Sequence, residues 1–203
     1  MKELDTISLP EPRHGSGVSV EGTLGERRSV REFADEPLGL DVLSQLLWAA
    51  QGRTSPEGGR AAPSAGALYP LEIDTVVGRV RDLEPGVYRY RAGGHDLRLV
   101  ARGDCRTPLA RAALEQHWMA AAPVAMAIVA VERRTARKYG ERAPLYVALE
   151  AGCAAQNAAL QAVALGLGTC VIGAFAEDTV AELLRLRPGE RPLALMSFGR
   201  GRP

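Results

Sequence analysis

What this chain lacks narrows it first. Its three cysteines, Cys105, Cys153 and Cys170, are an odd number without CxxC spacing, which argues against both a disulfide framework and a thiolate zinc site. His14, His95 and His117 lie far apart and form no ligand pair. No apolar run approaches the ~20 residues of a membrane span, and "MKELDTISLPEPRHG" has no apolar signal-peptide core. The formal net charge is only +1, whereas a nucleic-acid or membrane-surface binder needs a broad excess of Lys and Arg. GxxxxGK[ST], GxSxG and HExxH are all absent. "GLGTCVIG" offers Gly166 and Gly168, but Gly173 comes five residues on and the run follows a helix, so it is no dinucleotide fingerprint. The expectation is a reduced, cytoplasmic protein without metal, nucleic acid or membrane as partner.

What is present is an ordinary globular balance over 203 residues, the size of one domain. Residues 1–24 read as an extended arm and the start of a short helix, "VSVEGTLGERR"; residues 25–203 read as a single domain. "LDVLSQLLWAAQG" repeats Leu40, Leu43, Leu47 and Ala50 at helical spacing, with Gly52 as a stop. "RTSPEGGRAAPSAGALYP" is dense in Gly, Pro and Ser and predicts a loop. Glu72–Gly78 reads as a strand, and "GVYRYR" and "DLRLVA" read as a hairpin around "AGGH". "PLARAALEQHWMAAA" predicts a helix stopped by Pro123, and the apolar run Val124–Val131 a fully buried strand. "LYVALEAGCAAQNAALQAVALGLG" is a long helix, "TCVIGAF" a strand or extended loop, "EDTVAELLRL" a capped helix and "PLALMSFG" a last strand. Strands and helices mix without βαβ rhythm, which predicts an α+β domain.

The long helix has small residues on most of its surface: Ala148, Ala151, Gly152, Ala155, Ala158, Ala159, Ala162 and Gly166. A helix polar on no face has to be buried on most sides, with partners for Gln156, Asn157 and Gln161 inside. A core shared between two copies of the chain meets that need, and a central core helix is the alternative.

"GERRSVREFADEP" (Gly25–Pro37) places Arg27, Arg28 and Arg31 around Ser29. In an extended segment Arg27, Ser29 and Arg31 share one face, and two guanidinium forks with a hydroxyl between them match a phosphate monoester. In a helix Arg27 and Arg31 align at i, i+4 and repel unless an anion lies between. A solvated charge cluster is the plainer alternative.

"RRSVREF", "PSAGALYPLE" (Pro63–Glu72), "KYGERAPLYVALEAGCAAQNAALQAVALGLGTCVIGAF" and "PLALMSFGR", in that order and spacing, resemble the FMN-dependent nitroreductase superfamily from about Gly25 onward. Within it the chain looks most like the branch containing the dehydrogenases of streptolysin S and microcin biosynthesis, which oxidise peptide thiazolines and oxazolines to thiazoles and oxazoles. The resemblance implies a nitroreductase-like fold, a central mixed or antiparallel sheet flanked by helices, in an intertwined homodimer with FMN at the interface. By position, it implies that Arg27, Arg28, Ser29 and Arg31 hold the phosphate and the pyrimidine edge of FMN, and that Arg200 is a further basic residue at the phosphate. Pro63, Ser64, Ala65 and Ala67 would cover the flavin from the partner subunit, with Ala67 standing where many relatives have asparagine. Val171, Ile172, Gly173 and Ala174 would line its other side, with Gly173 where many relatives are acidic.

Lys138-Tyr139 matches a Lys-Tyr pair that the azoline dehydrogenases use to remove a proton as hydride leaves for the flavin. Arg133, Arg134, Arg137 and Arg142 are the cationic neighbours that could tune such a base. The alternative is a solvated lysine and an interface tyrosine. The functional expectation is an FMN oxidoreductase, NAD(P)H-linked, acting on a small molecule or peptide. A peptide azoline dehydrogenase and a non-catalytic flavin-binding protein are the alternatives.

Overall fold

The computed structural model describes residues 6–202. Seven strands form one sheet in the order β1-β4-β3-β2-β5-β7-β6. They are β1 (Thr6–Ser8), β2 (Leu71–Val77), β3 (Gly86–Arg91), β4 (Asp96–Arg102), β5 (Val124–Ala130), β6 (Gly168–Ile172) and β7 (Arg191–Gly199). Every ladder between them is antiparallel, so the sheet is not mixed. Helices cover both faces, which makes the α+β expectation correct.

Strand β5 organises the layers. All seven of its residues are buried. Because successive side chains point to opposite faces, Val124, Met126, Ile128 and Ala130 join one core, while Ala125, Ala127 and Val129 join the other. The first core is closed by α2 (Leu40–Gln51) and α5 (Ala143–Ala164), the second by α3 (Arg106–Ala112) and α6 (Glu177–Leu183).

Local chemistry sets the element ends. α1 (Val20–Glu26) starts at Ser19, whose hydroxyl accepts from the Gly22 N–H, and it ends before Arg27. It therefore crosses residue 24, and Thr6–Ser8 of the arm is an edge strand on β4. α5 ends in a Schellman turn: Leu167 N–H reaches the Ala162 carbonyl, and Gly166 N–H the Val163 carbonyl. Gly166 takes φ +69, which a residue with a Cβ adopts only at a cost.

Three expectations need correction. The helix read over "PLARAALEQHWMAAA" stops at Ala112, because Leu114 and Glu115 both take positive φ. The reversal folds Trp118 and Met119 back onto the core that Leu109 already fills, which a straight helix would carry them past. α6 has no side-chain cap; Glu177 and Asp178 instead place negative charge in its first turn. Finally, the alternative of a central core helix fails, because α5 is not enclosed on most sides by its own chain. Leu145, Ala148, Leu149, Gly152 and Gln156 form an exposed stripe, while Asn157 donates to the Ala61 carbonyl and Gln161 accepts from Gln45. A further helix, α4 (Arg133–Tyr139), occupies a stretch for which the sequence reading assigned no element.

Candidate functional site

The sequence-selected residues gather in two places. The first is the open edge of β6. Beyond α1 the chain becomes extended at Arg27 (φ −54, ψ 121). Ser29 then forms a parallel bridge with Thr169, and Val30 N–H donates to the Thr169 carbonyl at 2.9 Å. Gly168 makes this docking sterically feasible, since a Cβ there would lie 2.6 Å from the Val30 side chain. Phe33, almost fully buried, anchors the segment, and Ala34 N–H donates to the Arg200 carbonyl at 2.9 Å. Arg27–Ala34 therefore runs between β6 and the chain leaving β7, which brings Arg27, Arg28, Ser29, Arg31 and Arg200 to one edge.

Their side chains are not equivalent. Arg28 turns back, donating to the Gly25 and Arg27 carbonyls at 2.8 and 2.9 Å. The Arg31 guanidinium lies 5.9 Å from the Trp118 ring centroid, and Arg200 pairs with Glu36 at 3.2 Å. Arg27 has no side-chain partner among the described residues. The regular alternation expected of Arg27, Ser29 and Arg31 is thus modified by the pull of Trp118, a residue the sequence reading passed over.

Further along β6, Val171, Gly173 and Ala174 are exposed. Since Thr169 turns its carbonyl outward to Val30, the pleat turns the Val171 backbone groups to the same free edge. Ile172 is buried in the core with Val180 and Leu195, and its backbone groups turn to the paired strand β7.

The second place is the Pro63–Ala67 turn. Ser64 Oγ accepts from the Tyr69 N–H at 2.8 Å, and Ala65 N–H donates to Glu150 Oε1 at 2.8 Å. Glu150 is a buried carboxylate on α5 that sequence reasoning missed; its signal was a single charge within "ALEAGCAA". Gly66 and Ala67 take φ of 63 and 55. A Cβ on Gly66 would lie 2.9 Å from the Tyr139 hydroxyl and 3.1 Å from Lys138 Nζ, so the Lys-Tyr pair sits directly against the turn. Lys138 is exposed in the single chain. Of its cationic neighbours, Arg134 is held by Glu72 and the Tyr69 carbonyl, and Arg142 lies over Tyr146. An apolar cavity of about 330 Å³, lined by Pro63, Ser64, Ala65, Tyr146, Leu149, Glu150 and Cys153, opens beside the turn.

Helix α5 separates the two places. Glu150 holds the Pro63–Ala67 turn, whereas the arginine segment docks just past the helix end; fourteen residues at ~1.5 Å each put them roughly 20 Å apart.

The arrangement has counterparts in known proteins. The nitroreductase family profile matches residues 24–200. A protein of Methanocaldococcus jannaschii that bears the name nitroreductase is 44% identical over 194 residues, covering 96% of both chains. A crystal structure from Ralstonia eutropha, also named a nitroreductase, superposes with a TM-score of 0.84 at 32% identity, covering 98% of this chain and 90% of that one. A chain of the Escherichia coli microcin synthetase complex, solved with truncated pro-microcin bound, shares the fold with a TM-score of 0.77 at 24% identity, over 96% of this chain and 78% of its own. The family profile over most of the chain and the 44% identical relative thus show that this chain belongs to the nitroreductase family, a group of oxidoreductases.

Proposed function

We propose that this chain is an FMN-dependent oxidoreductase that passes hydride through the flavin, with NAD(P)H as electron donor. The observation that carries the reading is the docking of Arg27–Arg31 on β6, in line with the exposed residues Val171, Gly173 and Ala174. Bound FMN would supply the redox chemistry, accepting and giving up hydride at N5. The arginine end suits its phosphate, because Arg27 and Arg31 have no carboxylate partner among the described residues and Ser29 adds a hydroxyl between them. The far end suits its ring, because a Cβ at Gly173 would meet no atom within 4 Å. From Thr169 to Gly173 the strand spans about 13 Å, which suits the ribityl spacing between phosphate and ring.

A homodimer completes this reading. In this reading a second copy of the chain would provide Pro63, Ser64, Ala65 and Ala67. The exposed Leu145, Leu149 and Gly152 stripe supports such an interface. The test is to release the bound flavin, identify it chromatographically and follow NAD(P)H oxidation. FMN with turnover supports the reading; flavin without turnover leaves a flavin carrier; protein that neither holds nor takes up FMN sinks it.

A second reading is favoured by one contact, that of Lys138 and Tyr139 with Gly66. A reductase taking hydride from NAD(P)H removes no proton in that half-reaction, whereas azoline oxidation loses one C–H as hydride and a neighbouring one as a proton. Changing Lys138→Ala with Tyr139→Phe should then preserve FMN binding and NAD(P)H-driven reduction while slowing azoline oxidation about 10²–10⁴-fold, the scale of a lost general base. Unchanged oxidation rates would make the pair structural.

A further inference from the structure

On the face of the sheet that α5 does not cover, a cleft of about 210 Å³ opens between the β3–β4 hairpin and the loop from α6 to β7. Arg89, Arg98, Leu99, Val100, Arg185 and Arg187 line it. In sheet order, β2, β5 and β7 separate β3 from the β6 edge, so the cleft lies apart from both halves of the redox site.

The β3–β4 register sets Arg89 directly opposite Arg98, and like charges so placed are unfavourable unless neutralised. Arg89 is neutralised twice over. Its Nε and Nη2 donate to Asp74 at 2.7 and 2.8 Å, and its Nη1 and Nη2 donate to Glu190 at 2.7 and 2.9 Å. Both carboxylates are thereby committed to Arg89, although Glu190 also accepts the Arg187 backbone N–H at 3.0 Å. Arg98, Arg185 and Arg187 have no side-chain acceptor among the described residues. Their charge is concentrated in one concavity of a chain whose net charge is +1.

Arg185 adds an independent indication. It follows α6 with φ +50, while Leu186 N–H reaches back to the Ala181 carbonyl. This is the Schellman position at which glycine is the ordinary residue. An arginine there accepts backbone strain that glycine would avoid, and it adds a guanidinium to the cleft.

We propose that the cleft binds the diphosphate group of a small anion, at a site distinct from the redox centre. Guanidinium forks suit phosphoryl oxygens through paired, charge-assisted hydrogen bonds, and the fixed Arg89 floor gives the mobile arginines above it a rigid base. The group could come as free pyrophosphate or on a nucleoside diphosphate.

The test is calorimetric titration of the purified full chain with pyrophosphate, ADP and a short poly-glutamate peptide. Saturable pyrophosphate binding is expected with FMN present at saturation, weakened at least tenfold by Arg98→Gln with Arg187→Gln. Tighter binding of ADP would extend the site to a nucleoside, and equal binding would limit it to the diphosphate; both support the proposal. Arg185→Gly separates binding from folding, because it should hold or raise the melting temperature while weakening the anion several-fold. No saturable binding in the presence of FMN, unchanged affinity in the Arg98/Arg187 variant, or tighter binding of the peptide than of pyrophosphate would each overturn the proposal.

Discussion

At the scale of single residues, the account turns on which polar groups are already satisfied. Arg31 touches only the Trp118 ring, so its guanidinium hydrogen bonds are open to a phosphate. Arg31→Ala should weaken FMN by about 1.5–3 kcal/mol, the range of a charge-assisted hydrogen bond, in a titration followed by flavin fluorescence. Arg28 was read from the sequence as its equal, but its side chain is spent on two local carbonyls, so Arg28→Ala should cost less in the same titration. Cys105 offers a test with a sign set by burial. Burial, reinforced by the neighbouring Asp104 charge, pushes its thiol up to about 11. Since the thiolate is the nucleophile, iodoacetamide at pH 8 should label Cys105 in the folded protein roughly 100-fold more slowly than a free thiol. Labelling as fast as in the denatured chain would contradict that placement. What was legible in the sequence was the charge cluster itself, because Arg27, Arg28 and Arg31 fall within five positions around Ser29 in a chain of net charge +1. The orientations of Arg28, Arg31 and Ile172 were not, because Trp118, the local carbonyls and the second core that set them are remote in sequence or contribute only through backbone geometry.

At the scale of elements, β5 and α5 show what a one-dimensional pattern carries. The continuous apolar run of β5 predicts a strand covered on both faces, and the two cores alternate along it residue by residue. The small residues of α5 likewise predict close approach, and Ala154, Ala155, Ala158, Ala159 and Ala162 are indeed buried. Putting Phe at Ala155 or Ala159 should overpack that side and cost roughly 1–3 kcal/mol, read as a lower midpoint in urea without loss of cooperativity. The stripe of Leu145, Ala148, Leu149, Gly152 and Gln156 is left exposed by the chain itself, which rules out the central core helix and leaves that face for a partner. α3 was misread. "LEQHWMAAA" has good helix formers throughout, and only the pull of Trp118 and Met119 toward the sheet makes the chain reverse at Leu114 and Glu115. α4 went unassigned because charged residues fill it and only Thr135 is buried.

At the scale of the whole molecule, α5 acts as a spacer, with the arginine edge past one end and the Pro63–Ala67 turn near the other. The proposed flavin site takes the arginine edge from one chain and the turn from another, which ties the proposed activity to a dimer. Light scattering should give twice the 21.6 kDa chain mass at micromolar concentration, and an FMN-loaded monomer would oppose the dimer. The most direct test is complementation between two variants that each fail to hold FMN, one with Arg27→Ala and Arg31→Ala, the other with Ala65→Trp. If each flavin is held by arginines from one chain and the turn from its partner, a mixed dimer has one site carrying both defects and one site carrying none. Unfolding the two variants together and refolding the mixture should then restore bound FMN to a fraction of the sites. A mixture that holds no more FMN than either variant alone would contradict a site shared between chains.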